Sequence, residues 1–166
     1  MAGRVMKNKG KIGSAAVIGA IGLVAALSIF LSSRLSDADR AMTGKLLQSM
    51  DKVATFEGVN SEPWDVVCYL DPYDMPARRM QVYLPEGGRD LSFTPSGSAM
   101  GEEEGGLVFV NRATKVARVF VIEHTGIHRI EGPRCLERPQ AYFAVDRIDA
   151  LNASYTQLKL VAGQKI

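Results

Sequence analysis

Two cysteines, two histidines and a run of three glutamates are the residues of this chain whose types and spacing invite chemistry. Cys68 and Cys135 are the only cysteines, and they do not form the C-x-x-C of a catalytic dithiol. In an oxidising compartment two cysteines in one small domain most simply pair. A bridge closing about 67 residues is worth on the order of 4 kcal/mol by loop entropy. The alternatives are two buried free thiols or a redox pair. Glu123-His124-Thr125-Gly126-Ile127-His128, followed by Glu131 and Cys135, invites a metal reading, because H-x3-H suits zinc when both imidazoles share a helix face. Here Thr125-Gly126 directly follows an expected strand, so helical geometry is not expected, and an oxidised Cys135 has no thiolate to give. Glu102, Glu103 and Glu104 offer oxygens to a hard cation, yet a calcium loop spaces its ligands around a turn, as in D-x-D-x-D-G. The sequence holds no G-x-S-x-G, no Walker A, no G-x-G-x-x-G after a strand and no H-E-x-x-H. No catalytic, cofactor-binding or metal-ligating residue is assigned, and the expected feature is a Cys68–Cys135 disulfide.

The chain that must position these residues begins with a different kind of signal. Ile12 to Leu31 is twenty residues without a charge, long enough at about 1.5 Å per residue to cross a hydrocarbon core of about 30 Å. Read as an uncleaved anchor, it makes residues 12–33 a transmembrane helix. As a cleaved signal peptide it has Val24-Ala25-Ala26 as a small-residue site, but the apolar run continues past that site to Leu31. No Cys follows for lipoprotein processing. Arg4, Lys7, Lys9 and Lys11 make residues 1–11 a basic tail, which places the N-terminus in the cytoplasm and the rest outside. The net charge of +2 owes its sign to that tail; without those four the chain carries 16 basic against 18 acidic residues and has no electrostatic footprint for nucleic acid. Ala15, Gly19, Gly22 and Ala26 form a small-residue stripe through which two such helices can self-associate.

Beyond the anchor, Ser36 reads as an N-cap with Asp37 and Asp39 in the first helical turn. Met42, Leu46, Met50 and Val53 recur at helical steps, so an amphipathic helix is expected within residues 34–58, running to about Thr55. Residues 59–166 are expected to form one α+β domain around a small, mainly antiparallel sheet. Trp64, Val66, Cys68 and Leu70 alternate as one apolar strand face; Met80, Val82 and Leu84 alternate again. Leu91 and Phe93 are too short a signal for a strand, and residues 94–106 read as an exposed loop. Asn111 to Lys115 is a link of hairpin length between Leu107–Val110 and Val116–Glu123. The second of these runs is apolar enough to be covered on both faces. Ala141 to Ile148 is a further strand, and Leu151 to Val161 fits strand or helix.

Trp64-Asp65-x-x-Cys68-x-x-x-Pro72-Tyr73, the LVFVNRATKVARVFV hairpin and Cys135-x-x-Arg138-x-x-Ala141-x-Phe143-x-Val145 together resemble a family of small bacterial envelope proteins, secreted, lipid-anchored or membrane-anchored and uncharacterised. The resemblance implies a periplasmic domain and no activity. These readings point to a non-enzymatic protein of the bacterial inner membrane with a single span, acting in the envelope as a protein-interaction or assembly module. A pilin-like subunit is the structural alternative, although Ile18 stands where the pilin processing motif requires Glu. An envelope hydrolase using His124 or His128 with a nearby acid is the enzymatic one.

Overall fold

Ser36 opens the folded part of the chain. Its hydroxyl accepts from the Asp39 N–H, and the Asp39 carboxylate accepts from the Ser36 N–H, a reciprocal cap that satisfies two otherwise orphaned donors. The helix it starts, α1 (Asp37–Leu47), buries Met42 and Leu46 and ends well before Thr55. Asp51 adopts a left-handed conformation (φ 62°), its N–H donates to Val145 O at 2.9 Å, and the chain turns into strand β1 (Val53–Thr55). Pairing of β1 with residues 142–144 outweighs the helical period, and Val53 is left 66% exposed instead of continuing the stripe.

The computed structural model describes residues 35–95, 99–123, 126–150 and 153–163. After β1 come β2 (Val66–Leu70), helix α2 (Pro76–Tyr83), β3 (Ser92–Thr94), β4 (Glu104–Asn111), β5 (Val116–Glu123), β6 (Arg129–Glu131), β7 (Cys135–Glu137), β8 (Ala141–Ala150) and β9 (Ala153–Ala162). They form a four-stranded sheet ordered β1-β8-β9-β6 and a five-stranded sheet ordered β3-β5-β4-β2-β7. Most pairs are antiparallel; β3–β5 and β6–β9 are parallel. The chain crosses between sheets after β6 through Gly132 (φ 118°), where a Cβ would lie 2.2 Å from Leu160 O, so only glycine fits.

This corrects the expected fold class. The described chain is mostly β, two sheets with two short helices, in place of an α+β domain built from a long amphipathic helix on one mainly antiparallel sheet. Among the described residues no helix is long and apolar enough to cross a membrane. The run Ile12–Leu31, with Ala15, Gly19, Gly22 and Ala26, lies outside the described residues. The segment containing Met80 and Val82 is helical, not extended, with Leu84 at its C-cap: Pro76 supplies the preset φ of a first helical position, Met80 is fully buried, Leu84 packs partly buried and Val82 faces out. Residues 92–94 form a strand after all, and β4 begins inside the supposed loop. Gly105 and Gly106 are strand residues that admit Ile130, Leu70 and Met100 closely against the backbone.

The five-stranded sheet is covered on both faces. Between the sheets lie Val67, Tyr69, Leu107, Phe109, Phe120 and Ile122 from one side and Phe143, Val145, Leu158 and Leu160 from the other, with Met42 and Leu46 of α1. Phe56, carried by a short 3-10 turn, joins the layers, 4.8 Å from the Phe143 ring and 5.7 Å from that of Phe109. On the far face Val66, Cys68, Leu70, Val108, Val110 and Val119 pack under Met80 and Met100. The expected single face of Trp64, Val66, Cys68 and Leu70 is therefore split, with Trp64 in the inter-sheet core. The hairpin β4–β5 forms with Asn111 paired to Val116, as its spacing predicts. Because Leu46 is fully buried, Leu46→Ala is expected to lower stability by about 2–5 kcal/mol, read as a fall in the urea midpoint. An unchanged midpoint would mean that α1 is not part of the core.

Candidate functional site

Cys68 lies on central strand β2 and Cys135 on edge strand β7, directly opposite each other in the antiparallel register. Their Cα atoms are 4.0 Å apart, the closer of the two spacings along such a ladder, and the side chains form a disulfide. Cys68 is fully buried under α2, and Cys135 is half-buried beside a cleft of about 320 Å³ that also touches Tyr83 and Arg112. The bond fastens a three-residue edge strand to its interior neighbour β2.

The histidines do not converge on a metal or a catalytic dyad in the described residues. His124 lies outside them. His128 is exposed at the rim of a cleft of about 420 Å³ lined also by Asp71, Glu131 and Arg134. Its Nδ1 accepts the Thr156 N–H at 3.2 Å, and its ring meets Tyr155 edge-on at 6.4 Å. Glu131 is engaged by Arg129 at 2.7 Å, and no carboxylate bonds His128 among the described residues. The three glutamates separate as well. Glu104 folds back to accept the Gly101 N–H at 2.6 Å, and Glu102 turns to the Tyr73 hydroxyl. Among the described residues no group of three His, Cys, Asp or Glu side chains is placed to hold a metal.

What the fold does assemble is a set of guanidinium groups laid over aromatic rings. Arg134 sits 4.4 Å above Tyr69 and bonds Asp71 at 2.6 Å; Arg138 sits 5.5 Å from Trp64 and bonds Glu57 at 2.9 Å; Arg118 sits 5.2 Å from Phe120 and pairs with Glu62. Each arginine places its guanidinium over a ring of the core while a carboxylate pairs with it, a combination of ring contact and fork geometry that lysine does not copy. Since all three charges are neutralised locally, these groups roof the core and leave little free positive charge for an anion.

The second assembled feature is the turn into α2. Asp74 is buried, accepting from Arg79 Nε at 2.6 Å and from the Asp71 N–H at 3.1 Å, and it fixes the direction in which the helix leaves. With Met80 held inward, Met75 and Val82 face away from the sheet, 50% and 67% exposed, with Tyr73 just before them at 65%. The Arg78 side chain is exposed between them and makes no ion pair among the described residues. Nothing in the apolar alternation marked this segment, although Pro76 at a helix start was a usable signal.

Burial raises the Tyr69 and Tyr83 pKa values above the usual phenol value, against the opposing pull of Arg134. A raised folded-state pKa favours the neutral phenol, so this contribution is complete below about pH 10 and is lost as pH rises through the raised values. The urea midpoint is expected to hold from about pH 7 to 9 and to fall above about pH 10, less steeply in Tyr69→Phe. A Tyr69→Phe profile as steep as that of the parent protein would contradict this origin.

Comparison with protein-family models, curated proteins and solved structures finds no match, so the sequence resemblance to envelope proteins assigns no family.

Proposed function

We propose that this chain is a non-enzymatic, membrane-anchored protein of the bacterial envelope whose domain docks a protein partner through the outer side of α2. The observation that carries this reading is the placement of exposed apolar side chains. Of the five large ones among the described residues, Tyr73, Met75 and Val82 fall within a single turn and the helix it starts. Met75 is the residue before the first helical turn and Val82 lies seven positions on, about 10 Å along the axis and near the same side. Two apolar anchors flanking Arg78 match the make-up of interface centres, which favour aromatic, Met and Arg side chains. Attachment to the inner membrane, with the domain in the periplasm, rests on the uncharged run Ile12–Leu31 and the basic residues before it. The disulfide is in keeping with that oxidising compartment.

A photo-crosslinking residue placed at Val82 in living cells tests the reading. A discrete higher-mass adduct is expected, much weaker when Met75→Asp is added, and absent when the same residue is placed at exposed Lys52. Equal labelling at Val82 and Lys52, or none at either, would contradict a docking role for α2.

A further inference from the structure

The four-stranded sheet is covered on one face by the core and carries no described element on the other. Along β8 and β9 the outward residues pair in rows. Tyr142 with Val161 is followed by Ala144 with Lys159, then Asp146 with Gln157, then Ile148 with Tyr155. Apolar pairs thus close both ends, and two charges of opposite sign occupy the middle. Neither Asp146 nor Lys159 has an ion-pair partner among the described residues, even though Lys159 lies opposite Glu131, which Arg129 takes instead.

We propose that this face is the seat of an isologous homodimer. The pattern is its own complement. A two-fold axis lying in the interface and crossing the strands midway between the two central rows lays the Tyr142–Val161 end of one copy over the Ile148–Tyr155 end of the other. The same operation puts Lys159 in the row of the second copy's Asp146, offset by one strand spacing of about 4.8 Å, which a lysine side chain spans. Symmetry makes this contact twice, and Ala144 beside it leaves room for the sheets to approach. Side-by-side growth through strand edges is the competing mode of sheet association. All four edge strands, β1, β6, β3 and β7, are only three residues long, which disfavours it. The site is separate from the outer side of α2, so the dimer does not depend on the docking role given to that helix.

Sedimentation equilibrium of the purified full chain tests this with charge exchange. The parent chain is expected to be a dimer. Lys159→Asp and Asp146→Lys should each weaken dimerisation by at least about tenfold, because each sets like charges opposite one another at both symmetric contacts. The chain carrying both substitutions should dimerise again, and an equimolar mixture of the two single variants should form a heterodimer. That recovery separates a lost contact from a misfolded chain. A monomeric parent, a dimer indifferent to either single substitution, or no recovery in the double variant and the mixture would each overturn the proposal. Indifference to the charges would also be the result if association ran through the small residues Ala15, Gly19, Gly22 and Ala26.

Discussion

The Asp39 carboxylate is the constraint from which the larger sheet takes its finished form. Strand β3 pairs only with Val116–Arg118 of β5, so the next residues of β5 have no strand neighbour on that edge. There the Val121 N–H donates to Asp39 Oδ1 at 2.9 Å. The other oxygen of the same carboxylate accepts from both the N–H and the hydroxyl of Ser36, at 2.9 and 2.6 Å. One buried side chain therefore caps the start of a helix, completes a sheet edge and sets the register between them. A carboxylate 5% exposed would be costly without such partners, and with them it gives α1 one position against β5. Met42 and Leu46 then fall between the sheets because their helix has nowhere else to lie.

Asp74 plays a different part at α2: it gives the helix no side-chain cap, but it ties the preceding turn to the helix by accepting from the Asp71 N–H and from Arg79 Nε. Each helix is short, and neither has the length to be stable alone in water, so each depends on the sheet for its burial. The layers differ in what closes them at the rim. On the inter-sheet side arginines sit over Tyr69, Trp64 and Phe120, shielding rings that water would otherwise reach. On the α2 side the cystine ties the edge strand down, and the helix turns Met75 and Val82 outward beside exposed Arg78. Helix α2 is held to the sheet by Met80, with Tyr83 and Leu84 packed beside it.

How much of this was legible in the sequence follows the range of the interactions. The β4–β5 hairpin was readable because a short polar link joins two apolar runs, and the apolar continuity of Val116–Glu123 did signal burial on both faces. The Ser36 cap was readable for the same local reason. Val53 was not, because its place is decided by its partner Ala144, 91 residues away on β8, rather than by its helical spacing. Met80, Val82 and Leu84 fit a strand as well as a helix, and the two-residue step misled where Pro76 did not. Gly105 and Gly106 resemble loop residues in composition but serve close packing against Met100 and Ile130. The disulfide was accessible from cysteine count alone. The arginine roofs were not, since Glu57 and Arg138 meet across 81 residues of chain and Asp71 and Arg134 across 63.

Native-state hydrogen exchange at the Val121 amide tests the role of Asp39 most directly. In the parent protein this N–H should exchange only through global unfolding, at the same free energy as the amides of β4. In Asp39→Ala it should exchange much faster, together with the amides of α1, while those of β4 and β8 keep the protection set by the variant's own global stability. A Val121 amide as protected in the variant as its β4 neighbours would contradict the account, because it would show that the edge of β5 closes without the carboxylate.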